Sequence, residues 1–309
     1  MKQTLVIGST VVDVLLDIPL IPRPGEDVNI TSLEYSIGGC AYNVYKALTL
    51  FDSPALLCSP VGSGVFGRMV REHLEKEGLK PFVTLEKENG CCYCLIEPDG
   101  ERSFLSYHGA EYFFSRSWMS NIDMNKTGGI FICGLEVEEE TGNEIVDFVY
   151  EHPELELYFA TGPRIMGITP DRMEKLLARR DKQGKGPLLH LNESEAFNFT
   201  GEYGVEKGAE YLALKTGNSV VITMGENGCY CLEKAGMPGA FVPAHHAKVV
   251  DTVGAGDAHC GALIASLKNG INLEEACVLA NKAAAAVVGV KGAILMDELP
   301  AAWPPFDTD

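Results

Sequence analysis

Short apolar runs alternate with stretches of helical periodicity along this chain. Leu5-Val6-Ile7-Gly8 reads as a first strand, residues 43–51 as a helix and residues 55–61 as a second strand. Phe66, Met69, Val70, His73 and Leu74 recur at helical spacing, and Gly78 stands where a C-terminal cap belongs, so this segment predicts an amphipathic helix. Buried strands are expected at residues 130–133, 155–160, 188–191 and 220–223, with helical segments between them. Such alternation implies right-handed βαβ crossovers and an α/β fold with a mostly parallel sheet. Ligands in these sheets bind beyond the carboxyl ends of the strands, so site residues should lie just after strands.

Two segments break the pattern. Residues 11–37 carry Pro19, Pro22 and Pro24 and no helical period, and residues 91–97 and 102–107 read as a hairpin around Pro98-Asp99-Gly100-Glu101. Excursions of this kind suit a small β lid that excludes water from a site. With no internal repeat and no low-complexity linker, residues 1–309 are expected to form one unit, with lid segments near 11–37 and 88–113 inserted in it.

Charge narrows the partners. The 43 acidic and 25 basic side chains give a formal charge of −18, which argues against nucleic acid and anionic membranes as partners. A phosphorylated small ligand stays allowed, because a few backbone N–H groups can hold it. Gly8, Asp13 and Asp17 interrupt any signal-peptide core, and no apolar run approaches the roughly 20 residues of a membrane span, so a cytoplasmic location is expected. The ten cysteines, including the clusters Cys91-Cys92-x-Cys94 and Cys229-x-Cys231, read as small buried hydrophobes with free thiols rather than zinc ligands.

Three glycine-rich segments carry candidate chemistry. Gly62-Ser63-Gly64-Val65-Phe66-Gly67 fits G-x-G-x-x-G, with Glu86 about 20 residues on, as in a dinucleotide site; a tight turn into a helix explains it equally. Gly38-Gly39-Cys40-Ala41-Tyr42-Asn43 places bare backbone and an amide at a helix start, either to hold a hydroxyl or as a turn with an N-cap. Asp251-Thr252-Val253-Gly254-Ala255-Gly256-Asp257 opens a helix near residue 255 and ends it at Asn269-Gly270. Its first N–H groups form an anion hole, and Asp257 fits either a dipole partner or a general base. No Walker A sequence is present.

The pairing of Gly38-Gly39-x-x-x-Asn43 with Asp-Thr-Val-Gly-Ala-Gly-Asp at 251–257 resembles the two signatures of the ribokinase-like (PfkB) family of carbohydrate and nucleoside kinases. Asp13 after the first strand, Val61-Gly62-x-x-x-Phe66-Gly67, Asn192-Glu193-Ser194-Glu195, Thr223-Met224-Gly225-Glu226-Asn227-Gly228 and Lys291-Gly292-Ala293 match further family segments in order. The resemblance explains the Gly62–Gly67 fingerprint without a dinucleotide. It implies a three-layer α/β/α core with a β lid and an ATP-dependent kinase of a small sugar or a nucleoside.

It also implies roles. Asp257 would be the general base, with Gly254, Ala255 and Gly256 stabilising the transferring phosphoryl group. Asp13, Gly38, Gly39, Asn43 and Glu136 would bind the acceptor. Asn192, Thr223, Gly225, Gly228 and Asn281 would bind nucleotide, and Asn192 with Glu195 would organise Mg²⁺ through water. Asp251 and residues 286–292 are the positions for a monovalent cation such as K⁺, and lid pairing would give a homodimer. Tyr42, Tyr107, Tyr112 and Phe113 are the aromatics available to stack a nucleobase. Cys40 stands where ribokinases carry Lys, and no basic residue lies in 38–43 for a phosphosugar. Two bland expectations complete the reading: the Glu72, Glu75 and Glu77 cluster as a solvated helix face, and His245-His246 in a strand with opposed side chains. An NAD-dependent oxidoreductase built on Gly62–Gly67 is the rival from another class.

Overall fold

The computed structural model of the protein describes residues 1–289. Lys291-Gly292-Ala293 and part of the 286–292 stretch lie outside the described residues. In chain order the strands are β1 (Gln3–Ile7), β2 (Val11–Asp17), β3 (Ser32–Gly38), β4 (Ala55–Cys58), β5 (Pro60–Ser63), β6 (Val83–Glu88) and β7 (Cys91–Ile96). They continue with β8 (Arg102–Tyr107), β9 (Thr127–Cys133), β10 (Glu156–Ala160), β11 (Leu188–Asn192), β12 (Val220–Thr223), β13 (Cys229–Leu232) and β14 (Ala240–Val242). The helices are α1 (Cys40–Leu50), α2 (Gly64–Lys76), α3 (Gly134–Glu138), α4 (Gly142–Glu151), α5 (Pro170–Ala178), α6 (Glu193–Thr200), α7 (Val205–Thr216), α8 (Ala255–Lys268) and α9 (Leu273–Val288).

The central sheet runs β14-β13-β12-β11-β10-β9-β1-β4. From β12 to β4 every neighbouring pair is parallel, and only β13 and β14 are added antiparallel. Strand alternation feeds two cores. Leu5, Ile7, Ile130, Ile132, Leu189 and Leu191 pack on one face with α4, α5 and α7, while Val6, Phe131, Cys133 and Val221 pack on the other with α1, α8 and α9. A parallel sheet buried on both faces needs such continuous apolar strands. The result is the ribokinase-like three-layer core with a mostly parallel sheet.

A separate sheet, β3-β2-β7-β8, is formed by the two excursions and makes the lid. The segment expected as one strand at 55–61 divides at Ser59: β4 joins the central sheet, and β5 pairs with β6. Pro60 has no N–H to continue the first ladder, which favours the break there. Residues 243–249 form no strand, so the expected opposition of His245 and His246 does not apply. No helix among the described residues is long and apolar enough to cross a membrane.

Candidate active site

Glu136, Asn192 and Thr223 stand at the exits of β9, β11 and β12, while Asp13 lies on β2, Asn43 on α1 and Asp257 on α8. Gly38 ends β3 opposite Val11, and Gly39 follows at φ 105° as the N-cap of α1. A Cβ at Gly39 would stand 2.7 Å from the Ser9 carbonyl oxygen, so only glycine lets this turn lie against the exit of β1. Because α1 starts at Cys40, Asn43 sits inside its first turn rather than capping it. Its Nδ2 donates to Asp257 Oδ2 at 2.8 Å.

Around that bond lie buried acceptors. Asn43 Oδ1 and Glu136 Oε2 have no hydrogen-bond partner among the described residues. Glu136 Oε1 accepts the Ser9 N–H at 2.9 Å, and burial pushes its carboxyl up to about 7. Asp13, 6% exposed on β2, is pushed up to about 8 by burial and by the nearby charges of Cys92, Asp257 and Asp251. Buried polar groups are normally satisfied. A ligand rich in hydroxyl donors would satisfy these.

On the opposite side α8 begins. Gly254 is its N-cap in the left-handed region at φ 76°. Ala255 N–H turns back to the Thr252 carbonyl at 3.3 Å, and Ala258 N–H makes the next bond, to the Gly254 carbonyl at 2.9 Å. Of the three residues expected to form an anion hole, Gly254, Ala255 and Gly256, Ala255 has its N–H turned back into the loop. Asp257 is pushed up to about 6 by burial, opposed by the hydrogen bonds from Asn43 and Cys40.

The candidate nucleotide residues line the exits of β11 and β12. Asn192 caps α6 in a capping box with Glu195. Glu195 Oε1 accepts from Asn192 Nδ2 at 2.8 Å, and Oε2 accepts from the Asn192 N–H at 3.2 Å and from Thr161 at 3.1 Å. With both oxygens engaged, the pair fits a metal better through water than by direct ligation, as Mg²⁺ allows. Thr223 ends β12, and Gly225 and Gly228, both at positive φ, flank the turn into β13. Asn281 on α9 donates its Nδ2 to the carbonyls of Val242 and Pro243 at 3.2 and 3.0 Å, holding the chain that leaves β14.

Asp251 is fully buried, and its Oδ1 accepts from Val253 N–H at 2.7 Å and from Arg102 of the lid at 2.5 Å. In this conformation the cation beside Asp251 is a guanidinium, so this oxygen does not fit a bare K⁺ as well. Arg102 was not singled out from sequence. The available signal was alternation along β8: Arg102, Phe104 and Ser106 lie opposite Ile96, Cys94 and Cys92, which share a face with Asp13. Phe104 is therefore the exposed aromatic on the acceptor face. Of the aromatics singled out from sequence, Tyr42 bonds His73 at 2.6 Å and Glu77 at 2.9 Å, Tyr112 stacks on His108, and Phe113 lies beneath Lys87. Tyr107 lies on the outer lid face. Glu77 also pairs with Lys46, so it bridges α1 and α2 instead of belonging to a solvated face.

The G-x-G-x-x-G segment turns out to serve packing. Gly62 N–H donates to Asn89 Oδ1 at 2.6 Å, and a Cβ at Gly62 would lie 2.7 Å from the Asn89 backbone nitrogen. This loop abuts the β5–β6 pair and the chain entering β7, which leaves an oxidoreductase without support.

Comparison with known proteins identifies the family and the fold. The pfkB family carbohydrate kinase profile matches residues 1–300. An uncharacterized sugar kinase of Escherichia coli (strain K12), YegV, is 31% identical over 301 residues, covering 94% of this chain and 90% of that protein. Arabidopsis thaliana ribokinase, solved with ribose and ATP, superposes with a TM-score of 0.75 at 20% identity, covering 94% of each chain. A Burkholderia thailandensis nucleoside kinase, solved with inosine, gives a TM-score of 0.75 at 18% identity, covering 94% of this chain and 92% of that one. The family profile spans nearly the whole chain and the Escherichia coli relative is 31% identical to it, so this protein belongs to the pfkB family of carbohydrate kinases.

Proposed function

We propose that the protein transfers the γ-phosphoryl group of ATP to a hydroxyl of a small sugar, with Asp257 as general base. The observation that carries this reading is the Asp257 carboxylate, bonded to Asn43 and placed one residue from the open backbone of Gly256. Bound Mg·ATP would supply the phosphoryl group, its nucleotide against Thr223, Gly225, Gly228 and the wall held by Asn281, its metal approached through water by Asn192 and Glu195. The chain's own work is positioning. Asp13, Asn43 and Glu136 accept hydrogen bonds from acceptor hydroxyls, Gly38 and Gly39 admit the sugar close to the backbone, and Asp257 takes the proton from the attacking hydroxyl. The N–H groups at the start of α8, with that of Gly256 foremost, stabilise charge on the phosphoryl oxygens. The lid excludes water, since phosphoryl transfer is otherwise vulnerable to hydrolysis.

A panel of sugars and nucleosides assayed for acceptor-dependent ADP release tests this reading. The expected result is turnover with at least one pentose, hexose or nucleoside; ATP consumption that no hydroxylated acceptor stimulates would refute it. A nucleoside acceptor is the second reading, favoured by Phe104, 52% exposed on the acceptor face where a base could stack.

The lid face opposite Asp13 is apolar: Val12, Val14, Leu16 and Cys91 pack with Val70 and Leu74 of α2, while Leu33, Tyr35, Tyr93, Leu105 and Tyr107 are exposed beside them. Exposed apolar side chains of this kind favour pairing of two lids in a homodimer. Light scattering should give a dimer mass for the wild type and a monomer mass for Leu105→Lys. A monomeric wild type at assay concentration would dismiss the pairing.

A further inference from the structure

The acceptor face of the lid holds, beside Asp13, two thiols that phosphoryl transfer leaves unused. Cys92 and Cys94 lie two residues apart on β7 and point to the same face, where Asp13 of β2 pairs with Cys92. Cys91, formally a C-x-x-C partner of Cys94, points the other way and packs in the cluster with Val70 and Leu74. One donor atom each from Asp13, Cys92 and Cys94 lies within 4.8 Å of the other two. The Cys92 and Cys94 sulfurs are 3.9 Å apart.

That spacing selects a ligand chemistry. Two thiolates bound tetrahedrally at about 2.3 Å stand about 3.8 Å apart, so these sulfurs already sit at the edge of a zinc coordination tetrahedron. A disulfide would need the sulfurs at about 2 Å and Cα atoms within about 6.8 Å, near the limit for residues two apart on an extended strand. Carboxylate and thiolate together suit a borderline-soft divalent ion rather than Mg²⁺. Cys92 is half-buried and its register partner Ser106 is exposed, which leaves a way in from solvent for the ion and a fourth ligand.

We propose that Asp13, Cys92 and Cys94 form a three-ligand site for a thiophilic divalent cation of the Zn²⁺ class, whose occupancy blocks acceptor binding. Binding forms one metal–oxygen and two metal–sulfur bonds, and the thiol protons pass to solvent. The blocking follows because the metal would occupy the Asp13 carboxylate, so this second half rests on the acceptor role given to Asp13 above.

The test separates the two halves. The full chain, reduced with a phosphine and free of nucleotide and sugar, is titrated with Co²⁺. One equivalent should produce thiolate-to-cobalt charge-transfer absorption with the visible bands of tetrahedral cobalt, and Zn²⁺ should displace it. The double variant Cys92→Ser, Cys94→Ser should lose the charge-transfer band and bind at least ~100-fold more weakly, while Cys58→Ala keeps both. Circular dichroism shows whether each variant is folded, and Asp13→Asn, which keeps both thiols, should weaken binding with the band retained. No band in the wild type, or an undiminished band in the folded double variant, overturns the site. Zn²⁺ should raise the apparent KM of whichever sugar or nucleoside the phosphorylation panel returns, at saturating Mg·ATP, in the wild type and not in the double variant. A cobalt site that leaves this KM unchanged overturns the blocking alone. The cobalt spectra decide the site even if the panel returns no acceptor.

Discussion

Asp257→Asn should leave the protein folded and lower kcat by about 10²–10⁴, the usual loss when a positioned base is removed. The amide oxygen can still accept from Asn43 Nδ2, so the contact between α1 and α8 survives. Stability should hold or rise. Burial raises the folded pKa of Asp257 from 3.8 to about 6, so the native state binds this proton more tightly than the unfolded chain does. The stabilisation from that proton is fully present below about 3.8 and is lost as pH rises through about 6. Above that pH the wild type carries a desolvated charge that the amide does not. The same shift sets the rate profile: kcat/KM should fall roughly tenfold per pH unit below about 6, where the base is protonated. The acid limb of the wild type and the kcat of the variant, measured beside a thermal melt, check the assignment. Near-normal turnover in Asp257→Asn would end it, and a large fall in melting temperature would mark the residue as structural.

The sequence disclosed the core because a doubly covered parallel sheet writes itself as apolar runs. Residues 130–133, 188–191 and 220–223 could hardly be anything else. The glycine-rich start of α8 was legible for a related reason: glycines crowd where a chain must turn into a helix, and Gly254 does occupy the left-handed region. What stayed hidden depends on pairing between distant strands. Nothing near Arg102 announces that it reaches Asp251, 149 residues away, and the face shared by Asp13, Cys92 and Cys94 exists only once β2 and β7 are in register. Local pattern also misassigned roles where a tertiary partner intervened. Glu77 looks like one of several surface acids until Lys46 and Tyr42 arrive from α1. Gly62–Gly67 has the spacing of a dinucleotide loop, but its backbone is filled by Asn89 rather than by a phosphate. The charge of −18 likewise gains meaning only with the fold. On the proposed function, an acidic protein that handles ATP depends on local donors, the N–H groups where α8 begins.

Those N–H groups allow a test in which structure and activity part company. Among the described residues nothing lies within 4 Å of a Cβ built on Gly256, and its backbone is not in the left-handed region. Gly256→Val should therefore fold without strain, with a melting temperature equal to or slightly above the wild type, because valine is intrinsically better than glycine in a helix by a few tenths of a kcal/mol. The open space is nevertheless where the phosphoryl group must come to reach both Asp257 and the Gly256 N–H. A branched side chain there should lower kcat by at least about 10², comparable with losing a principal oxyanion donor. Gly254→Val supplies the contrast. At φ 76° it forces a β-branched residue into a region such residues avoid, so stability and activity should fall together. A stable, inactive Gly256→Val beside an unstable Gly254→Val would separate the glycine that admits the phosphoryl group from the one that turns the chain. A stable Gly256→Val with near-normal kcat would mean that phosphoryl transfer occurs elsewhere than over the first turn of α8.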